Sequence, residues 1–127
     1  MIRVVRLGTP RETDEGLRVG TVRRPPRGVP KSEYAARDLY DAWLPELAPS
    51  EPLLKAGLTT TTEQDWRRFT RRFRAEMKGP GPQHFLDLLA ALSHTTNLSV
   101  GCYCPDESRC HRSILRTLLV DRGADLR

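Results

Sequence analysis

The chain has 127 residues and a formal charge of +5, long enough for one domain with its own core and too short for a second. No apolar run approaches the ~20 residues of a membrane span, and the first residues, MIRVVRLGTP, lack the apolar core of a signal peptide, so a cytoplasmic protein is expected. Three cysteines cannot all pair within one chain, which excludes a closed disulfide framework and fits a reducing compartment.

Ile2 to Leu7 (IRVVRL) is rich in β-branched residues and ends at Gly8-Thr9-Pro10, which predicts a short strand. Leu17 to Arg23 (LRVGTVR) predicts a second. It runs into Arg24-Pro25-Pro26-Arg27-Gly28-Val29-Pro30, a loop in which three prolines remove donors and favour extended backbone. Ser32 is placed to cap a helix from Glu33 to about Leu44. Pro45, Pro49 and Pro52 then predict a turn-rich connection without a helix.

Glu63 to Lys78 has the clearest helical pattern, with Thr62 as N-cap and Asp65 completing a variant of the capping box. Trp66, Phe69, Thr70, Phe73 and Met77 fall on one stripe, and Arg67, Arg68, Arg71, Arg72 and Arg74 on the other faces. Those arginines read as a solvated outer face; as a contact surface they would make the chain a protein-interaction module without catalysis. Gly79-Pro80-Gly81-Pro82 reads as a stop and turn, followed by a helix from Gln83 to His94. His84 and His94, near its ends, read as surface or cap residues. A strand through Leu98 and Val100 and a last helix from about Ser108 to Arg122 complete a small single α/β domain with a partly parallel sheet flanked by helices.

All three cysteines and one of the three histidines fall between Cys102 and His111. Residues two apart on a strand share a face, so Cys102 and Cys104 point the same way. The turn that follows returns the chain to put Cys110 and His111 in the first turn of the last helix. Unpaired N–H groups and the positive helix dipole would stabilise a thiolate there.

The cluster supports several chemistries. Cys102, Cys104, Cys110 and His111 are the right types for tetrahedral zinc, but C-x-C-x5-C-H lacks the usual C-x2-C knuckle, and adjacent Cys and His side chains diverge on a helix; no metal or other cofactor is assigned. Cys110, with His111 and Cys102, is a candidate catalytic group for a thiol-dependent or redox enzyme. The helix start with Arg112 and Ser113, facing Arg23 and Arg27 of the proline loop, is a candidate pocket for a phosphate-bearing ligand, a nucleotide or a nucleic-acid end. Of the 21 basic residues 18 are Arg, whose planar fork suits phosphate, although a coding bias also yields such an excess. Small soft residues packing where a strand meets a helix is the inert alternative.

The apolar strand, Cys102, acidic turn, Cys110-His111-Arg112 and apolar helix together resemble the C-terminal signature of the domain of unknown function 488 family. The rest resembles its YeaO-like branch. A strand leads to Pro26-Arg27-Gly28, a "DLWL-x-x-LAPS" segment stands at Asp38 to Ser50, and a "W-x-x-F-x-x-x-Y/F-x-x-E" helix at Trp66, Phe69, Phe73 and Glu76. The resemblance implies a cytosolic α/β domain whose site pairs the arginine loop with the Cys-His-Arg helix start: Arg23, Arg27, Cys102, Cys110, His111 and Arg112. Val22 stands where that branch has an aspartate, and Cys104 where relatives carry an acidic residue.

Overall fold

A computed structural model describes residues 1–127. The strands are β1 (Ile2–Arg6), β2 (Leu17–Gly20), β3 (Ala42–Trp43) and β4 (Leu98–Cys102). They form one sheet in the order β1-β4-β2-β3, and every strand pairing is parallel, with Ile2 and Leu17 both level with Leu98. The partly parallel sheet read from the sequence is thus a parallel one, and the fold is α/β. β4 has neighbours on both edges and all five of its residues are buried, as expected of a central parallel strand.

The helices are α1 (Glu51–Leu58), α2 (Glu63–Glu76), α3 (Pro80–Leu92) and α4 (His111–Asp121). They bury Leu53, Phe73, Leu86 and Leu115 against one sheet face, where Ile2, Val19, Leu98 and Val100 point. In α2 the apolar stripe faces this core as its spacing predicts, while Arg67, Arg68, Arg71 and Arg72 are exposed. The predicted cap is also present: Thr62 Oγ1 accepts from the Asp65 amide at 3.0 Å. His84 and His94 are exposed, the latter with Nε2 2.7 Å from the Gly123 carbonyl.

The other sheet face is closed by loops around a buried ion pair. Arg18 on β2 is fully buried and binds Glu15 through two nitrogens, at 2.7 and 2.9 Å. Its remaining donors reach the carbonyls of Thr9 and Asp38, and the Ser99 hydroxyl donates to Glu15 at 2.9 Å. One strand residue thereby ties the 8–16 loop and the 31–41 segment to the sheet.

Four local expectations are corrected. No helix spans 33–44: only a 3-10 turn at Lys31–Glu33 forms, Asp38 takes a left-handed φ of 56°, and the chain turns to place β3 beside β2. Tyr40 decides this, because its ring lies over Gly20 where a Cβ would come within 2.5 Å of it. The supposed turn-rich connection contains α1, since Pro52 sits in the first turn, where a missing N–H costs nothing. Likewise Pro80 starts α3, with Gly79 as N-cap, so the Gly-Pro repeat opens this helix instead of separating two. The last helix begins at His111 and not near Ser108, with consequences for the site.

Ser50 anchors α1 twice over. Its hydroxyl accepts from the Leu53 amide, and its own amide and hydroxyl donate to the Glu76 carboxylate of α2. Ser50→Ala is expected to cost about 1 kcal/mol, the usual loss of an N-cap, seen as a lower urea midpoint at unchanged slope.

Candidate functional site

β4 ends at Cys102, and the next residues, Tyr103 and Cys104, carry the chain away from the sheet. Asp106 then starts a 3-10 turn at Glu107–Arg109, its carboxylate accepting from the Ser108 amide at 3.0 Å. The turn delivers Cys110 as the N-cap of α4, with φ −124° and ψ 150°. This is extended backbone, not the helical conformation expected for Cys110. The difference brings Cys110 and His111 side chains together where two neighbouring helical residues would diverge.

Three ligand-type side chains, Cys102, Cys110 and His111, consequently converge, and Cys104 stands beside Cys102. Cys102 Sγ is 3.8 Å from Cys104 Sγ, and Cys110 Sγ is 3.7 Å from His111 Nδ1. The donor atoms of Cys102, Cys110 and His111 all lie within 4.8 Å of one another. His111 Nε2 is 2.6 Å from the Thr21 carbonyl, which accepts only, so Nε2 carries a proton and the neutral ring keeps its lone pair on Nδ1, facing the sulfur. Phe73 holds the ring from the side, edge to face at 5.5 Å between centroids.

The sulfurs do not titrate independently. Thiols of Cys102 and Cys104 close to Cys110 hold it well below the ordinary thiol range against the opposing effect of burial. Cys102 moves the other way: hydrogen bonding to Cys104 and then to Cys110, with burial, pushes its thiol far up.

Arg112, in the first turn of α4, is 3 % exposed. Its Nη2 donates to the Cys104 carbonyl at 2.7 Å, its Nε is buried without a partner, and no carboxylate pairs with it. Contact with Cys102 and the charge of Arg112 favour the thiolate of Cys104, but Cys110 and burial outweigh them and push that thiol up. Ser113 is occupied locally, donating to the Cys110 carbonyl at 2.9 Å.

Above the cluster lies a crevice of about 590 Å³ at the carboxyl ends of β2 and β4, where open parallel sheets commonly bind ligands. One wall is the loop from Val22 to Val29, and the other holds Cys102, Tyr103, Cys104 and His111. The two predicted walls thus face each other across one cavity. The arginines divide by what they already bind. Arg23 donates to the carbonyls of Pro49 and Ala48 at 2.9 and 3.1 Å, and so staples the loop to the segment before α1. Arg24 pairs with Glu51. Arg27 lines the crevice, is exposed and enters no ion pair.

Cys102, His111, Arg23 and Arg27 therefore line the crevice, and Cys110 lies behind them, 2 % exposed. Arg112 and Ser113 do not line it. Sequence reasoning missed Arg37, Leu39 and Leu54, which complete the wall. Arg37 and Leu39 stood in the segment read as a helix, and Leu54 in one read as lacking a helix. The Thr21 carbonyl that orients His111 is a main-chain atom, which no residue pattern encodes.

No helix of the chain is long and apolar enough to cross a membrane. No curated protein and no solved structure matches the chain at a significant level. Residues 2–123 match the family model DUF488-N3a, described as the active DUF488-N3 subclade. A match over that much of the sequence, on a chain whose arginine loop and Cys-His-Arg helix start meet at one crevice, places this protein in the domain of unknown function 488 family.

Proposed function

We propose that the crevice binds a phosphate-bearing small molecule of nucleotide size, with Arg27 as its anion contact and the Cys-His cluster as its floor. The observation that carries this reading is Arg27: of the three loop arginines on the wall, Arg23 and Arg24 are held by protein acceptors and Arg27 alone is not. Arg37, whose contact with Glu33 is long at 3.4 Å and exposed, is a second cation within the same lining. The volume lies within the ~300–1,000 Å³ of small-molecule sites. Pro25, Pro26, Leu39, Leu54 and Tyr103 offer an apolar surface for a base or similar body, leaving the arginines for its phosphate.

This revises the anion set read from the sequence. Arg112 and Ser113 support the floor and Arg23 braces the loop, so ligand contact passes to Arg27 and Arg37. The burial of Cys110 favours ligand binding over direct attack by that thiol on a crevice ligand. Three unpaired cysteines suit a reducing compartment, and a cytoplasmic location belongs to this reading.

Titration calorimetry at low salt with mononucleotides, nucleoside and inorganic phosphate tests it. Nucleotides are expected to bind, nucleosides to bind more weakly, and Arg27→Ala to reduce nucleotide affinity ~10-fold, the worth of one charge-assisted contact. Absence of heat and of thermal stabilisation with every phosphate compound, at an ionic strength where screening is least, would discard the reading.

A further inference from the structure

We infer that Cys102, Cys104, Cys110 and His111 form a tetrahedral zinc site in the floor of the crevice. This stands whether or not the cavity above takes a phosphate-bearing ligand.

The first support is metric. Two sulfurs on one zinc ion at ~2.3 Å are separated by a tetrahedral edge of ~3.8 Å, and a sulfur and an imidazole nitrogen by ~3.6 Å. Cys102 and Cys104 stand 3.8 Å apart, and Cys110 and His111 3.7 Å. Two edges of a tetrahedron are thus already near their liganded length. The unusual spacing is explained by the backbone: strand end and extended N-cap supply the convergence that a C-x2-C knuckle supplies elsewhere.

The second support is the histidine. A zinc-bound imidazole generally donates its other N–H to a carbonyl or carboxylate, which fixes the tautomer and the ring. His111 meets this condition through Thr21, and the nitrogen left free is the one beside Cys110. The third is charge. Three thiolates and one Zn²⁺ carry one net negative charge, and Arg112 is a buried cation without a carboxylate, bonded to the main chain of Cys104. Such a cation needs a counter-charge, and a zinc-thiolate centre supplies a permanent one.

Binding releases the thiol protons to solvent and leaves the sulfurs as thiolates. Cys104, the exposed member, is the side on which the centre meets the crevice.

The test uses the full chain, stripped by chelator under reducing conditions and reloaded with zinc or cobalt. One equivalent of Zn²⁺ is expected to survive desalting and to protect all three cysteines from alkylation, counted by mass spectrometry. Co²⁺ is expected to give intense tetrahedral d–d absorption with sulfur-to-metal charge transfer. Cys110→Ser and His111→Gln should each change that spectrum and weaken zinc retention against a competing chelator by more than the ~10–100-fold that loss of an outer-sphere partner costs. A wild-type protein whose three thiols stay alkylatable after zinc loading, or whose cobalt spectrum is that of the hydrated six-coordinate ion, overturns the assignment without any variant. So does a cobalt spectrum unchanged by either substitution. No nucleotide is present in these experiments, so their result is separate from the calorimetry of the crevice.

Discussion

Glu15→Ala is expected to destabilise the protein by about 3–5 kcal/mol, the largest single effect we foresee outside the apolar core. Arg18 would remain buried with two carbonyl acceptors and no carboxylate bonded to its guanidinium, and the Ser99 hydroxyl would lose its acceptor. Urea unfolding at neutral pH measures the loss. Replacing both partners by apolar residues, Glu15→Leu with Arg18→Met, should recover much of it, because the penalty arises from the stranded cation and not from a large net gain of the pair.

The same carboxylate predicts a pH dependence. Burial alone would raise the Glu15 value, but hydrogen bonds from Arg18 and Ser99 outweigh it and hold the group below the usual carboxylate range. A group depressed in the folded state gives stability that is fully present above its unfolded value, ~4.3, and is lost as pH falls through the folded one. The wild type should therefore lose stability below about pH 4.3, and Glu15→Ala should lack that part of the slope.

Phe73→Ala is expected to cost about 3–5 kcal/mol as well, by a different route. Phe73 is fully buried at the centre of the main core, between the stacked ring of Phe69 and the edge of His111. Its removal opens a cavity beside the imidazole. Phe73→Leu, which fills most of the space, should recover stability more fully than it restores the cobalt spectrum, since a flexible branched side chain no longer fixes the ring plane. Equal recovery of both would show that Phe73 serves packing only.

What the sequence disclosed and what it concealed divide along physical lines. α2 was legible because Trp66, Phe69, Phe73 and Met77 repeat at helical spacing and Thr62 caps the run. β4 was legible because a buried parallel strand reads as an apolar run. The 33–44 segment misled because Tyr34, Leu39 and Trp43 answer to tertiary demands. Tyr40 fills the space over Gly20, and the Trp43 indole donates to the Val22 carbonyl at 2.7 Å. α1 and the start of α3 were hidden by prolines read as breakers when their place was the first helical turn. At the site, composition named Cys102, Cys110 and His111, and their convergence depended on one backbone detail, the extended N-cap at Cys110. Arginine identity likewise did not say which guanidinium was free, because Arg23 is satisfied by carbonyls that any residues could have supplied.

The borders of the sheet carry a consequence for association. Beyond β1, Leu126 forms a parallel bridge with Ile2, and the Ile2 amide and carbonyl bond to Asp125 and Arg127. On the far border β3 is two residues long. Neither border offers a long row of unsatisfied peptide groups, so the chain is a poor template for strand addition and for edge-driven aggregation. The tail at 125–127 thus acts as a cover for the start of the first strand, in the place a partner's strand would otherwise take.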